Sequence, residues 1–112
     1  MEVQYSPEAK LSPEAVLLEQ ASTLLRDILG QEVSQIMKAE WNCVPDRQGR
    51  TLYRLTLRDF TSEVCTEFTC EELQNPLHMR FRMYRLWGDL LQVRHNLQHQ
   101  QVLALSGVIT TD

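Results

Sequence analysis

The alternation of apolar and polar residues over residues 37–43 constrains the fold of this chain more than any other feature. Met37, Ala39, Trp41 and Cys43 alternate with polar neighbours. This spacing of two is typical of a strand that buries one face and exposes the other. The sequence therefore predicts a half-buried strand at residues 37–43.

Turn-forming residues follow at positions 46–50. A three-residue hairpin loop needs a positive φ at its last position, and Gly49 adopts one without strain. A loop of residues 47–49 then sets apolar residues against apolar residues on the inner face. The predicted pairs are Cys43 with Tyr53, Trp41 with Leu55, Ala39 with Leu57, Asn42 with Arg54, and Lys38 with Arg58. A shift of one residue would set Trp41 against Arg54, so the pattern selects this register.

Residues 59–62 are predicted to form a second loop, which joins the second strand to a third strand. Its outer face carries opposite charges, and its inner face remains mostly apolar. The predicted pairs are Arg58 with Glu63, Arg54 with Glu67, Leu57 with Val64, Leu55 with Thr66, and Tyr53 with Phe68. Such cross-strand pairs contribute roughly 0.2–1 kcal/mol each. The sequence therefore predicts a three-stranded antiparallel meander.

Two helices flank this meander. The first is predicted to begin at Ser12-Pro13, a capping residue followed by proline, and to end at Gly30. Residues 69–72 match a capping box and predict a short helical turn. The second helix is predicted to begin at Asn75-Pro76 and to run to about Gln100.

The predicted fold is α+β with two layers, in the order αβββα, with both helices packed on one face of the sheet. We expect residues 1–11 to be a flexible arm, residues 12–105 to form a single domain, and residues 106–112 to fray. Double-stranded RNA-binding domains share this order of elements. Their last helix begins with a basic cluster, whereas residues 69–76 here are acidic, so we do not assign the chain to that family.

Charge and composition argue against several partners. The 112-residue chain has a net charge of −4 and a pI near 5.3, whereas nucleic acid and anionic membranes attract basic surfaces. We expect no membrane span, since no apolar run approaches the length of about 20 residues that is required. We see no signal peptide, and three cysteines without a C-x-x-C motif favour a reduced cytoplasmic compartment.

The sequence gives little support for a catalytic or a metal-binding site. His95 and His99 have the spacing of two helical ligands, but their neighbours supply no third ligand. Cys65 is predicted to lie between carboxylates, which disfavour a reactive thiolate, and Cys43 is predicted to lie on the apolar face. We therefore predict no catalytic residue, no cofactor and no metal site.

The long second helix is the best candidate for a functional surface. A helix of about 25 residues is near 38 Å long, whereas strands of about eight residues span only some 26 Å. Its end should therefore extend beyond the sheet with apolar side chains exposed, which suggests a homodimer or another protein partner. The residues predicted to form this contact are Met83, Trp87, Leu90, Leu97, Val102 and Leu105.

Three functions are compatible with these sequence features. The first is a small non-enzymatic protein-interaction module that self-associates through its long C-terminal helix. The second is a small-ligand-binding or enzymatic domain with a pocket between sheet and helices, near Trp41, Tyr53 and Trp87. The third is an atypical RNA-binding domain that uses Arg80, Arg82 and Arg85.

Overall fold

Residues 38–68 form three consecutive antiparallel strands, as their alternation predicts. The computed structural model describes the backbone of residues 1–110 and the side chains of residues 1–103. The strands are β1 (Glu2–Tyr5), β2 (Lys38–Pro45), β3 (Thr51–Arg58) and β4 (Glu63–Phe68). The helices are α1 (Pro7–Leu11), α2 (Ala15–Leu29), α3 (Gln31–Ser34), α4 (Cys70–Leu73) and α5 (Pro76–Thr110).

The fold is α+β, and the sheet is mixed rather than purely antiparallel. Its four strands follow the order β1-β2-β3-β4, and β1 runs parallel to β2. The prediction of three strands is therefore wrong in number, because it omits β1. β1 and β4 form the two edges of the sheet.

The predicted register between β2, β3 and β4 is confirmed at every pair, including Trp41 with Leu55 and Arg54 with Glu67. Gly49 has a φ of 80° and closes the first loop. In that loop the Asp46 carboxylate accepts hydrogen bonds from the backbone N–H groups of Gln48 and Arg50, each 2.8 Å long. The turn residues therefore fix the register through the hydrogen bonds expected of them.

Residues 1–11, predicted to be a flexible arm, form β1 and α1 instead. Val3 pairs with Ala39 and Tyr5 with Trp41 along the edge of β2. The Ser6 hydroxyl then accepts a hydrogen bond from the backbone N–H of Ala9 and caps α1. Ser6-Pro7 therefore joins a strand to a helix, because proline suits the first helical position.

The helix boundaries agree with the sequence at three places and differ at two. Gly30, with a φ of 81°, ends α2, and Thr69 and Glu72 form the predicted capping box of α4. α2 begins at Ala15, because Ser12 instead caps the C-terminus of α1. α5 begins at Pro76 as predicted but continues through Thr110. The predicted fraying of residues 106–112 is not seen at 106–110, and residues 111–112 lie outside the described residues.

The core lies between one face of the sheet and the helices α2 and α5. Trp41 is completely buried at its centre, where the indole N–H donates to the Ser22 hydroxyl at 2.8 Å. The Phe68 ring lies 5.8 Å from the Trp41 ring, centroid to centroid. Buried residues of α2 and α5 complete this core: Leu18, Ala21, Leu25, Leu29, Met79, Met83, Leu86 and Leu90.

Candidate functional site

The helix α5 carries two apolar faces on opposite sides. Its inner face supplies Met79, Met83, Leu86 and Leu90 to the core. A turn of about 100° per residue places a second apolar set on the far side of the helix. We call this set the outer stripe, and its members recur at alternating intervals of four and three residues: Leu77, Phe81, Tyr84, Gly88 and Leu91.

The outer stripe is exposed along its length. The exposed fractions of its four large side chains are 80% for Leu77, 68% for Phe81, 53% for Tyr84 and 43% for Leu91. An ordinary surface helix has one apolar stripe and one polar face. A second stripe with this regular spacing is the pattern by which one helix packs along another.

The residues predicted to mediate self-association divide between core and surface. Met83 and Leu90 are completely buried, so this part of the prediction is corrected: they belong to the core of a single chain. Trp87 is half-buried and packs against that core. Leu97 and Val102 are exposed at 37% and 58%. The side chain of Leu105 lies outside the described residues.

An ion pair marks the place where α5 leaves the body of the domain. The Arg94 guanidinium binds the buried carboxylate of Asp59 in the turn between β3 and β4. The same carboxylate accepts hydrogen bonds from the backbone N–H groups of Thr61 and Ser62 at 2.9 and 2.8 Å. Burial alone would raise the pKa of Asp59, but these hydrogen bonds outweigh it and hold that pKa below its usual value.

Beyond Arg94 the helix extends past the sheet. With 35 residues, α5 is roughly 52 Å long at 1.5 Å per residue. The molecule accordingly measures 60 × 35 × 25 Å along its principal axes. Leu97, Val102 and Leu103 are exposed on this extension. The predicted overhang is therefore present and longer than the sequence pattern indicated.

A groove of about 560 Å³ lies between α5 and the edge strand β4. Arg82 lies at the base of this groove, where it forms several contacts. The guanidinium donates to Thr66 Oγ1 at 2.5 Å, to the backbone carbonyl of Glu67 at 2.8 Å and to Glu72 Oε2 at 2.9 Å. It also lies 4.5 Å over the centroid of the Phe68 ring. This network ties α5 to α4 and β4.

The Arg82 contact also covers part of a sheet edge. Backbone groups of an antiparallel strand point alternately towards one neighbour and the other. The Glu67 carbonyl points away from β3, where a further strand would otherwise pair with it. Arg82 occupies this carbonyl and so removes one pairing position from the edge of β4.

A second polar cluster lies in a cleft where α2, α4 and β3 meet. The Glu14 carboxylate accepts a hydrogen bond from Tyr53 Oη at 2.5 Å and another from Cys70 Sγ at 3.0 Å. The bond from Tyr53 is the main cause that lowers the pKa of Glu14. Burial and the bond to Glu14 together raise the pKa of Tyr53.

The hydrogen bonds of the Glu14 cluster favour an ionised Glu14 and protonated Tyr53 and Cys70, and they do not activate a nucleophile. The hydrogen bond to Glu14 raises the pKa of the Cys70 thiol, and burial raises the pKa of Cys43 nearby. A catalytic cysteine needs the opposite shift, towards the thiolate. The cluster is therefore a structural link between three elements.

The lowered pKa of Glu14 predicts an acid-dependent stability. The folded-state pKa lies below the unfolded one, so the contribution is complete above the unfolded pKa and is lost as the pH falls through the folded value. We expect Glu14→Gln to lower the melting temperature by a few degrees at neutral pH and to match the parent protein only when the pH lies below the folded-state pKa of Glu14. Thermal unfolding followed by circular dichroism from neutral to acidic pH measures this.

The exposed Glu19 on α2 provides the control for that experiment, since it has no part in the cluster. We expect Glu19→Gln to leave the melting temperature nearly unchanged at every pH. A constant difference between Glu14→Gln and the parent protein across the whole pH range would contradict the assignment.

The remaining candidate residues lie apart from one another. Cys65 is exposed on the edge strand β4. His95 and His99 are exposed, and their ring centroids lie 6.4 Å apart. Among the described residues, no group of three or more histidine, cysteine or acidic side chains is placed to hold a metal ion.

The residues named for the two alternative functions have structural roles or lie separately. Trp41 is completely buried and cannot stack on a ligand, and Trp87 is half-buried and packs against the core. Of the three arginines named for RNA, Arg82 is committed to the network beneath the groove. Arg80 and Arg85 are exposed on different sides of the outer stripe.

Comparison with protein-family models, with curated proteins and with solved structures finds no match to this chain. Within the described part of the chain, no helix combines the length and the hydrophobicity needed to cross a membrane. The surfaces of the molecule itself are therefore the basis for inferring its function.

Proposed function

We propose that this chain is a protein-interaction domain that self-associates through the exposed side of α5. One observation carries the proposal: the longest helix has a regular apolar stripe on the side opposite to the core. The proposed contact surface consists of the outer stripe and the exposed apolar residues of the extension, Leu97, Val102 and Leu103.

The free energy available to such a contact comes from apolar area. Single exposed apolar side chains are common on protein surfaces and need no explanation. A contiguous row on one rigid helix differs, because a partner helix can cover all of it at once. Burial of apolar surface contributes about 25 cal/mol per Å². A row of four large side chains therefore supports a weak or moderate association.

The polar clusters elsewhere in the molecule are best explained as contacts that stabilise the fold. The partners of Arg82, Glu14 and Asp59 all come from the same chain. Such networks stabilise a fold when every member is paired. The outer stripe, in contrast, has no counterpart among the described residues.

The proposal predicts that a charge on the proposed contact surface weakens association without unfolding the domain. Phe81→Glu and Leu97→Glu should each raise the dissociation constant at least tenfold, because a carboxylate at an interface must lose its water. Melting temperatures should stay within a few degrees of the parent protein, since both side chains are exposed. Light scattering at tens of micromolar measures the first effect, and circular dichroism the second.

Gln48→Glu in the exposed loop between β2 and β3 provides a matched control, since it adds the same charge far along the chain. It should leave both association and melting temperature unchanged. Variants that associate like the parent protein would refute the proposed surface. Loss of folding in Leu97→Glu would show that the extension belongs to the core.

A further inference from the structure

We propose that the exposed edge of β4 binds an extended peptide of another protein as a fifth strand, and that this peptide alternates basic and apolar residues. The proposal goes beyond the self-association through α5 and does not depend on it. A peptide that adds a strand to a sheet is held by backbone hydrogen bonds, and its alternate side chains give the specificity. The edge of β4 and the groove beside it supply both kinds of contact.

The backbone of β4 offers hydrogen-bonding groups in the spacing of a strand. Because the Glu67 carbonyl points away from β3, the alternation along the strand directs the N–H and C=O groups of Glu63 and Cys65 the same way. Within the described part of the chain, β3 is the only strand that pairs with β4. Arg82 occupies the Glu67 carbonyl, so Glu63 and Cys65 remain as the pairing positions for an added strand.

The edge of β4 lacks the usual features that prevent strand pairing. Natural edge strands are commonly protected by proline, by lysine, by a β-bulge or by a covering element. β4 contains neither proline nor lysine, and its six residues pair with β3 in unbroken register, which leaves no bulge. Cys65, at the middle of the edge, is exposed. The strand is therefore long and regular enough to accept a partner.

The outer face of β4 selects a basic partner over a second copy of the same strand. On this face β4 presents Glu63, Cys65 and Glu67. Two copies paired antiparallel about Cys65 would set Glu63 opposite Glu67 twice, and like charges directly opposite each other are destabilising. The Glu63 side chain is 60% exposed, and lysine or arginine opposite it would be attracted instead. The net charge of −4 favours a basic peptide as well.

The groove selects apolar side chains on the other face of the added strand. Alternate peptide residues would point towards α5, where Phe81 and Leu86 line the groove and Phe81 is 68% exposed. The exposed Arg85 also lines this side and disfavours a basic residue there. The peptide that fits is therefore basic on its outer side and apolar on the side of the groove.

Fluorescence anisotropy with a labelled peptide of about six alternating lysine and valine residues tests the proposal on the full chain. Only every second residue of an added strand directs its amide at β4. Methylation of the lysine amide nitrogens in one peptide and of the valine amide nitrogens in another should therefore have unequal effects. One methylated peptide should bind roughly tenfold or more weakly, and the other nearly as tightly as the unmethylated peptide.

Cys65→Pro removes the central N–H donor of the edge. Since this N–H points away from β3, the pairing of β3 with β4 stays intact, and proline is tolerated at such edge positions. The variant should fold, as checked by circular dichroism, and should bind the lysine–valine peptide roughly tenfold or more weakly than the parent protein. Cys65→Ser keeps the N–H and is the matched control, with binding close to that of the parent protein.

The remaining outcomes decide whether the edge or general charge attraction holds the peptide. A peptide with glutamate in place of lysine should bind more weakly than the lysine–valine peptide. Equal binding of the two methylated peptides, or equal binding to Cys65→Pro and Cys65→Ser, would overturn the proposal. No saturable binding of the lysine–valine peptide up to about 1 mM would overturn it too.

Discussion

Trp41→Asp is expected to unfold the domain at ordinary temperatures. The indole is completely buried, contacts the Phe68 ring and donates to the Ser22 hydroxyl. Removal of a buried tryptophan side chain costs about 3–5 kcal/mol. A carboxylate in the same place adds the cost of a buried charge without a partner. The sum is comparable with the whole stability of a small domain, about 5–15 kcal/mol.

Asn42→Asp tests the same strand from its other face and serves as the control. Asn42 lies next to Trp41 and pairs with Arg54 in the register of β2 and β3. A charge at Asn42 should change the free energy of unfolding by less than about 0.5 kcal/mol. Denaturant unfolding followed by tryptophan fluorescence or circular dichroism measures both variants. A Trp41→Asp variant with near-normal stability would mean that the inner and outer faces of the sheet are exchanged.

Arg82→Met is expected to lower the free energy of unfolding by about 2–4 kcal/mol. Its guanidinium connects Glu72, Thr66 and the backbone carbonyl of Glu67, and it covers the Phe68 ring. Methionine retains much of the length of the side chain but none of the donors. The Glu72 carboxylate then keeps only its remaining hydrogen bonds, including the bond with His78 at 2.9 Å.

Arg85→Met removes the same charge from the same helix and is the matched control for Arg82→Met. Arg85 is exposed, so its replacement should change the free energy of unfolding by less than about 0.5 kcal/mol. Urea unfolding monitored by circular dichroism compares the two variants. Equal effects from the two substitutions would show that the Arg82 network does not stabilise the fold.

The register of β2, β3 and β4 could be predicted because two local rules agree there. Alternation assigns each residue to a face, and the turn residues around Gly49 fix the number of residues in the loop. The charge pair between Arg54 and Glu67 is found as predicted, with an oxygen–nitrogen distance of 2.7 Å. Arg58 approaches Glu40 at 2.8 Å more closely than Glu63 at 3.9 Å, since a neighbour on β2 competes with the one on β4.

β1 could not be predicted because its signal is short and its partner is distant. Val3 and Tyr5 alternate with polar residues, but four residues do not distinguish a strand from a polar arm. Its parallel pairing with β2 joins segments that lie more than 30 residues apart in the chain. Such nonlocal pairing leaves no local turn residues to reveal it.

The candidate surface was predicted in part. Helical periodicity separates two apolar groups on α5, but it does not say which group faces the sheet. The structure places Met83 and Leu90 inside and the Leu77–Leu91 stripe outside. The hydrogen bonds of Glu14 with Tyr53 and Cys70 join residues far apart in the chain, so no sequence spacing could have indicated them.

Sedimentation equilibrium of the unmodified chain across a series of concentrations tests the central claim most directly. The claim is that the exposed stripe on α5 holds two copies together. We expect the weight-average mass to rise with concentration from that of one 13.1 kDa chain towards twice that value at tens of micromolar. Phe81→Glu should shift the rise to at least tenfold higher concentration. A mass that stays at one chain throughout the series would contradict the claim.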